Sequence, residues 1–178
     1  GREFHGVWGN FDVKLTLDKD YIVGGTGYLQ NPEEVGHGYA EKTTKTRGKN
    51  LTWHFVAPMV HDFAWAADPD YIHDVLETEE GVTLHFFYQD DKEIIDNWKR
   101  LQGETAALLA FFNNTIGPYP YKQYSILQGG DGGLGYAVCP FITGGSSFLS
   151  LSGVTSRVLS HSWSLHVLAF NVSQYAWM

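Results

Sequence analysis

The sequence has one cysteine, and with it one limit: Cys139 has no partner for an intramolecular disulfide, so the fold must rest on packing alone. Clustered cations are also scarce. Lys and Arg number 12 against 20 Asp and Glu, for a net charge of −8, and the densest basic run is "KTTKTRGK", Lys42 to Lys49. Nucleic-acid affinity is carried largely by clustered cations, so nucleic acid is excluded as a partner and that run reads as a solvated hairpin edge or loop. No apolar run is long enough to span a bilayer, and the opening "GREFHGVWGNF" lacks the apolar stretch of a signal peptide. The expectation is a soluble chain with no membrane partner and no targeting segment; its compartment is left open. The Asn-x-Ser/Thr triplets at Asn50, Asn113 and Asn171 arise often by chance and carry no weight. Charge is missing most conspicuously at the end: from Gly132 to Met178 the only formally charged residue is Arg157.

What is present is apolar and aromatic. At 178 residues, 43% hydrophobic and 15% aromatic, the chain can bury a core with large rings in it. Alternation in "FDVKLTL" (Phe11, Val13, Leu15, Leu17) predicts half-buried strands up to Leu29, with "DKDY" and "GGTG" as turns. Leu51 to Asp68 continues in strand-forming residues, with Pro58 marking an edge or bulge, and Gly81 to Gln89 predicts another strand. Ile94, Ile95, Trp98, Leu101, Thr105, Leu108, Leu109 and Phe112 recur at near-helical spacing. They predict a helix over Lys92 to Ile116, stopped by Gly117 and Pro118. "QYSILQ" and "YAVCPFIT" read as short strands, the second interrupted by Pro140, and Gly153 to Phe170 as a helix apolar on almost every side. The fold class expected is α+β. An apolar face of that size needs cover, and a second copy of the chain docking through 131–178 would supply it.

The stretch "SRVLSHSW" bears on function. Zinc peptidases set two histidines at i and i+4 on one helical face, with a glutamate between them to take a proton from the metal-bound water. His161 occupies the second histidine position, whereas Arg157 stands at the first and Val158 at the glutamate. Together with "WHFVAPMVHDFAWAADPDY", "GPYPYKQYSILQGGDGG" and "HSW…NVSQYAWM", this stretch resembles the aminopeptidase N family of zinc aminopeptidases, the gluzincins, nearly end to end.

The resemblance implies a β saddle domain ending near Gln89 (residues 1–89), then the opening of a thermolysin-like catalytic domain (90–178). It also implies a peptide substrate, a zinc cofactor and a glutamate-bearing strand that grips the substrate's amino terminus. On that strand "GGLGY" places Gly135 at the amine-binding glutamate, flanked by Gly133 and Tyr136, and Leu134 at a methionine. The family's distal glutamate ligand falls beyond Met178, which leaves His161 as the one family ligand.

One imidazole does not hold Zn²⁺, and a permanent guanidinium one helical turn away repels a divalent cation. Loss of the general base alone costs about 10²–10⁴-fold in rate. The expectation is therefore an inactive, truncated or engineered relative of a zinc aminopeptidase that needs no cofactor.

Two other readings stay open. Cys139 with His161 could form a thiol hydrolase, with "GGDGG" donating backbone N–H groups to an oxyanion. The uncharged terminal third could form a self-associating binding module. Against their functional readings, Cys139 also fits a buried strand cysteine and His161 a buried histidine bonded to backbone. His166, at α-helical spacing, lies about 140° around the helix from His161, on a different face. "GGDGGLGY" lacks the Lys-Ser/Thr of a phosphate loop, and Asp68, Asp70 and Asp74 with His73 fit a turn better than a cation site.

Overall fold

In the computed structural model the described residues are 7–44, 48–130, 135–136, 138–145 and 147–167. Strand β1 (Gly9–Asp18) alternates half-buried and exposed positions along its whole length, as its sequence pattern requires, and pairs antiparallel with β4 (Asn50–Val60). The short β3 (Tyr28–Leu29) pairs with the other edge of β4, while β2 (Ile22–Gly25) pairs with β5 (Trp65–Asp68) in a separate two-stranded sheet. A four-residue helix, α1 (Pro32–Val35), lies between β3 and β4.

The bulge expected at Pro58 is present. Gly9 faces Val60 and Phe11 faces Ala57, so Pro58 and Met59 together oppose Asn10. Met59 takes a positive φ of 52°, and its N–H is satisfied by Asn10 Oδ1 at 3.0 Å.

The second sheet has the order β6-β7-β8-β9, with β6 at Tyr71–Glu77, β7 at Thr83–Gln89, β8 at Gln123–Gly129 and β9 at Phe141–Thr143. The β6–β7 pair is antiparallel, whereas β7–β8 and β8–β9 are parallel. Parallel neighbours need a crossover, which α2 (Ile95–Thr115) provides between β7 and β8. Strand β7 reads "TLHFFYQ" and is buried at every position from Leu84 to Tyr88, as a strand covered on both faces must be. This sheet straddles residues 89 and 90, so the two segments on either side of that boundary share one hydrogen-bonded ladder.

Several elements differ from expectation. β6 carries no clear sequence signal because its pattern does not alternate cleanly: Asp74 is half-buried, where it accepts hydrogen bonds from Tyr88 Oη and Gln102 Nε2, both at 2.6 Å. The long helix starts at Ile95, three residues later than expected, because Asp91 Oδ1 accepts from the Glu93 N–H and holds the preceding turn. β9 begins only after Pro140. The last helix, α3 (Phe148–His161), starts five residues earlier than Gly153, where Ser147 caps it by accepting from the Ser150 N–H at 3.4 Å. Ser162–Val167 then continues as a π-helical turn. Nor is α3 apolar-buried all round: Leu151, Thr155, Val158 and Leu159 face the core, while Leu149, Gly153 and Arg157 face outward. No helix among the described residues is long and apolar enough to cross a membrane.

The main core joins β7, β8, α2 and α3 around Trp98, which is 0% exposed and stacked on Tyr88 with ring centroids 5.1 Å apart. α3 is pinned to α2 from both ends. Arg100 lies over the Phe148 ring, 3.8 Å from its centroid, and Trp163 Nε1 donates to the Gly117 carbonyl at 2.8 Å. Replacing Trp98 by alanine removes one of the two tryptophan rings of this cluster and is expected to cost about 3–5 kcal/mol, a large share of a domain's total stability. Urea denaturation followed by circular dichroism checks it; a loss below about 1 kcal/mol would show that the cluster does not hold α2 to the sheet.

Candidate functional site

The residues singled out by the metal-helix pattern come together in space. A Cβ built on Gly135 would stand 3.8 Å from Val158 Cγ1 and 3.9 Å from His161 Nδ1, so the segment at Gly135 faces the helix at the two positions that the metal-helix pattern gives to a base and a ligand. Gly133 and Leu134 lie outside the described residues. Tyr136 packs edge-on against Phe141, with centroids 5.6 Å apart.

Val158 is 7% exposed and belongs to the main core, so an alkyl group is what faces Gly135 here. Arg157 is exposed, one helical turn before His161 on α3. The half-buried His161 imidazole has its pKa held below the ordinary histidine range, first by burial and second by the Arg157 cation. Both effects disfavour a positive charge at this point, whether a proton or a metal ion.

His166 departs from the expectation for it. α-Helical geometry sets it on another face from His161, but the π-helical turn at 162–167 follows an i→i+5 hydrogen-bond pattern, which turns residues five apart toward the same side. His166 is accordingly buried and close enough to feel both neighbouring histidines. Its pKa falls to about 4 through burial, then the nearness of His61, then that of His161. The His61 and His166 rings have centroids 6.5 Å apart. Even so, among the described residues no group of three or more His, Cys, Asp or Glu side chains is arranged to hold a metal ion. The donor set at the metal-helix position is one imidazole, one alkyl group and one guanidinium, which does not fit zinc.

Cys139 sits in a different environment from His161. It is 0% exposed, clustered with Tyr71, Phe87 and Leu127, and hydrogen-bonded to the Thr26 side chain. Burial pushes its thiol pKa far above the usual range, the reverse of what an attacking thiolate needs.

The most elaborate polar arrangement was not visible in the sequence. His73 on β6 and His85 on β7 meet ring to ring, with His73 Nε2 to His85 Nδ1 at 2.9 Å, and His73 Nδ1 bonds the His37 carbonyl at 2.7 Å. Their separation along a hairpin was the available signal, but it requires the β6–β7 register, in which His73 faces Phe87 and Val75 faces His85.

No family model matches the chain, and no curated protein matches it. Solved structures do. The M1 zinc metallopeptidase from Deinococcus radiodurans superimposes with a TM-score of 0.64 at 17% identity, over 88% of this chain and 34% of that enzyme. A mutant of the same enzyme gives the same values. The chain thus spans about a third of the length of the solved enzymes it matches.

The state of Cys139 is directly testable. A thiol reagent should label it only after denaturation, in keeping with its burial; stoichiometric labelling of the native protein at neutral pH would place a reactive thiol at the surface. At this level of identity the comparison establishes architecture, and the chain has the mixed α+β fold of a part of an M1 zinc metallopeptidase.

Proposed function

We propose that this chain is a peptidase-fold module without peptidase chemistry, one that retains the frame of a zinc aminopeptidase site and serves as a scaffold. One observation carries the reading: Gly135, Val158 and His161 converge as the gluzincin pattern requires, yet the first two offer no carboxylate. Water would have to attack a peptide carbonyl with neither a metal to lower its pKa nor a base to take its proton. An incoming amino terminus would find Gly135 where a carboxylate is needed.

The alternative of a thiol hydrolase gains no support from a fully buried Cys139. Elemental analysis of the purified protein should find no stoichiometric zinc, and aminoacyl-nitroanilides should show no turnover above the uncatalysed rate. One equivalent of zinc accompanied by turnover would overturn the proposal.

A further inference from the structure

The His73–His85 pair lies outside the peptidase frame and has a definite proton arrangement. A carbonyl only accepts, so His73 Nδ1, 2.7 Å from the His37 oxygen, must carry hydrogen. In a neutral His73 ring Nε2 is then an acceptor, and the 2.9 Å contact to His85 Nδ1 requires that nitrogen to donate. Burial favours the neutral form of both rings, and in that form both carry hydrogen on Nδ1.

The pair is enclosed by rings. Phe87 stacks on His73 at 4.2 Å, and Tyr39 lies 4.4 Å from His73 and 5.2 Å from His85. Of the ionisable groups around it, Tyr39 donates its hydroxyl to the Val23 carbonyl, and burial, with a smaller contribution from Cys139, holds its phenol protonated. Asp74, beside His73 on β6, is bonded to Tyr88 and Gln102, and it favours a charged His73 only weakly against the burial. The remaining ionisable neighbour is the His37 ring, whose Nε2 contacts the Lys19 carbonyl at 2.8 Å.

The segment that His73 holds carries one strained residue: Gly36, His37 and Gly38 have positive φ of 69°, 48° and 85°, which the two glycines adopt freely and His37, with its side chain, does not. The contact is close as well: a Cβ on Gly38 would come within 2.8 Å of His73 Nδ1. Such a loop stays in place because something grips it.

We propose that the His73–His85 pair is an acid-operated latch, which fastens the 36–38 loop to the second sheet while both rings are neutral and releases it when both are protonated. A first proton can be shared: His73 then donates from both nitrogens, and His85 moves its hydrogen to Nε2. With a second proton two N–H groups face each other at 2.9 Å inside a ring-lined enclosure, and the pair must part; His73 still donates from Nδ1 to the His37 carbonyl, so as it swings away from His85 it draws the 36–38 loop off the sheet with it.

Burial, opposed in part by the bond to His37, lowers the His73 pKa to about 4; burial and then the nearness of His73 lower that of His85 to about 3. Since both lie below the unfolded-state value near 6.5, the stability contributed by the neutral rings is complete above that pH and is lost as pH falls through about 4 toward about 3.

The test is amide hydrogen exchange on the full chain from about pH 6 to about pH 3, corrected for intrinsic exchange rates, alongside His85→Asn. The asparagine side-chain nitrogen keeps a donor close to the Nδ1 position without titrating. In the unsubstituted chain the amides of Gly36 and Tyr39, which donate to the Pro32 and Gly36 carbonyls, should lose protection before those of α2, and in His85→Asn that loss should move down by at least roughly one pH unit. Simultaneous loss over the loop and α2, or no shift in the variant, would overturn the latch. If His85→Asn does not fold, nitrogen-15 spectra of the imidazoles decide: Nδ1–H on both rings at neutral pH supports the latch, and Nε2–H on His73 sinks it.

Discussion

A guanidinium held one helical turn from an imidazole governs what the end of α3 can bind. Arginine does not shed its proton in a protein, so the charge at Arg157 is permanent. The same charge that lowers the His161 pKa acts on any cation approaching that ring. Zinc affinity in a peptidase comes from several ligands acting on one ion, and here one ligand remains beside a fixed repulsive charge. Gly135 lies against Val158 and His161 without contributing a carboxylate.

The stability of α3 is drawn from contacts other than those of His161. α3 is held to α2 by Leu151, Val158 and Leu159 in the main core, by Arg100 over Phe148, and by Trp163 bonded to Gly117. None of these depends on a metal. Val158 is an example: a glutamate there would have to keep its charge solvated or paired, whereas valine packs into the core.

Much of this was legible in the residues, and the limits have physical causes. The alternation of β1, the periodicity of α2 and the bulge at Pro58 are local effects, written in neighbouring side chains, and each appears where expected. The facing of Gly135 with Val158 and His161 was reachable through the family resemblance. What escaped was set by tertiary contacts. The β6 pattern is obscured by Asp74, whose partners Tyr88 and Gln102 are distant in sequence. The π-helical turn that rotates His166 toward His161 has no simple signature in "SWSLHV". The meeting of His73 with His85 depends on strand register, and their hold on His37 depends on the packing of two sheets.

The central claim is electrostatic, and calorimetric titration of Zn²⁺ into the unsubstituted chain and into Arg157→His tests it most directly. Removing the guanidinium and adding a second imidazole at i and i+4 should convert a protein with no saturable binding at this helix into one that binds about one equivalent, with release of protons. One equivalent bound tightly by the unsubstituted chain, and abolished by His161→Ala, would contradict the account.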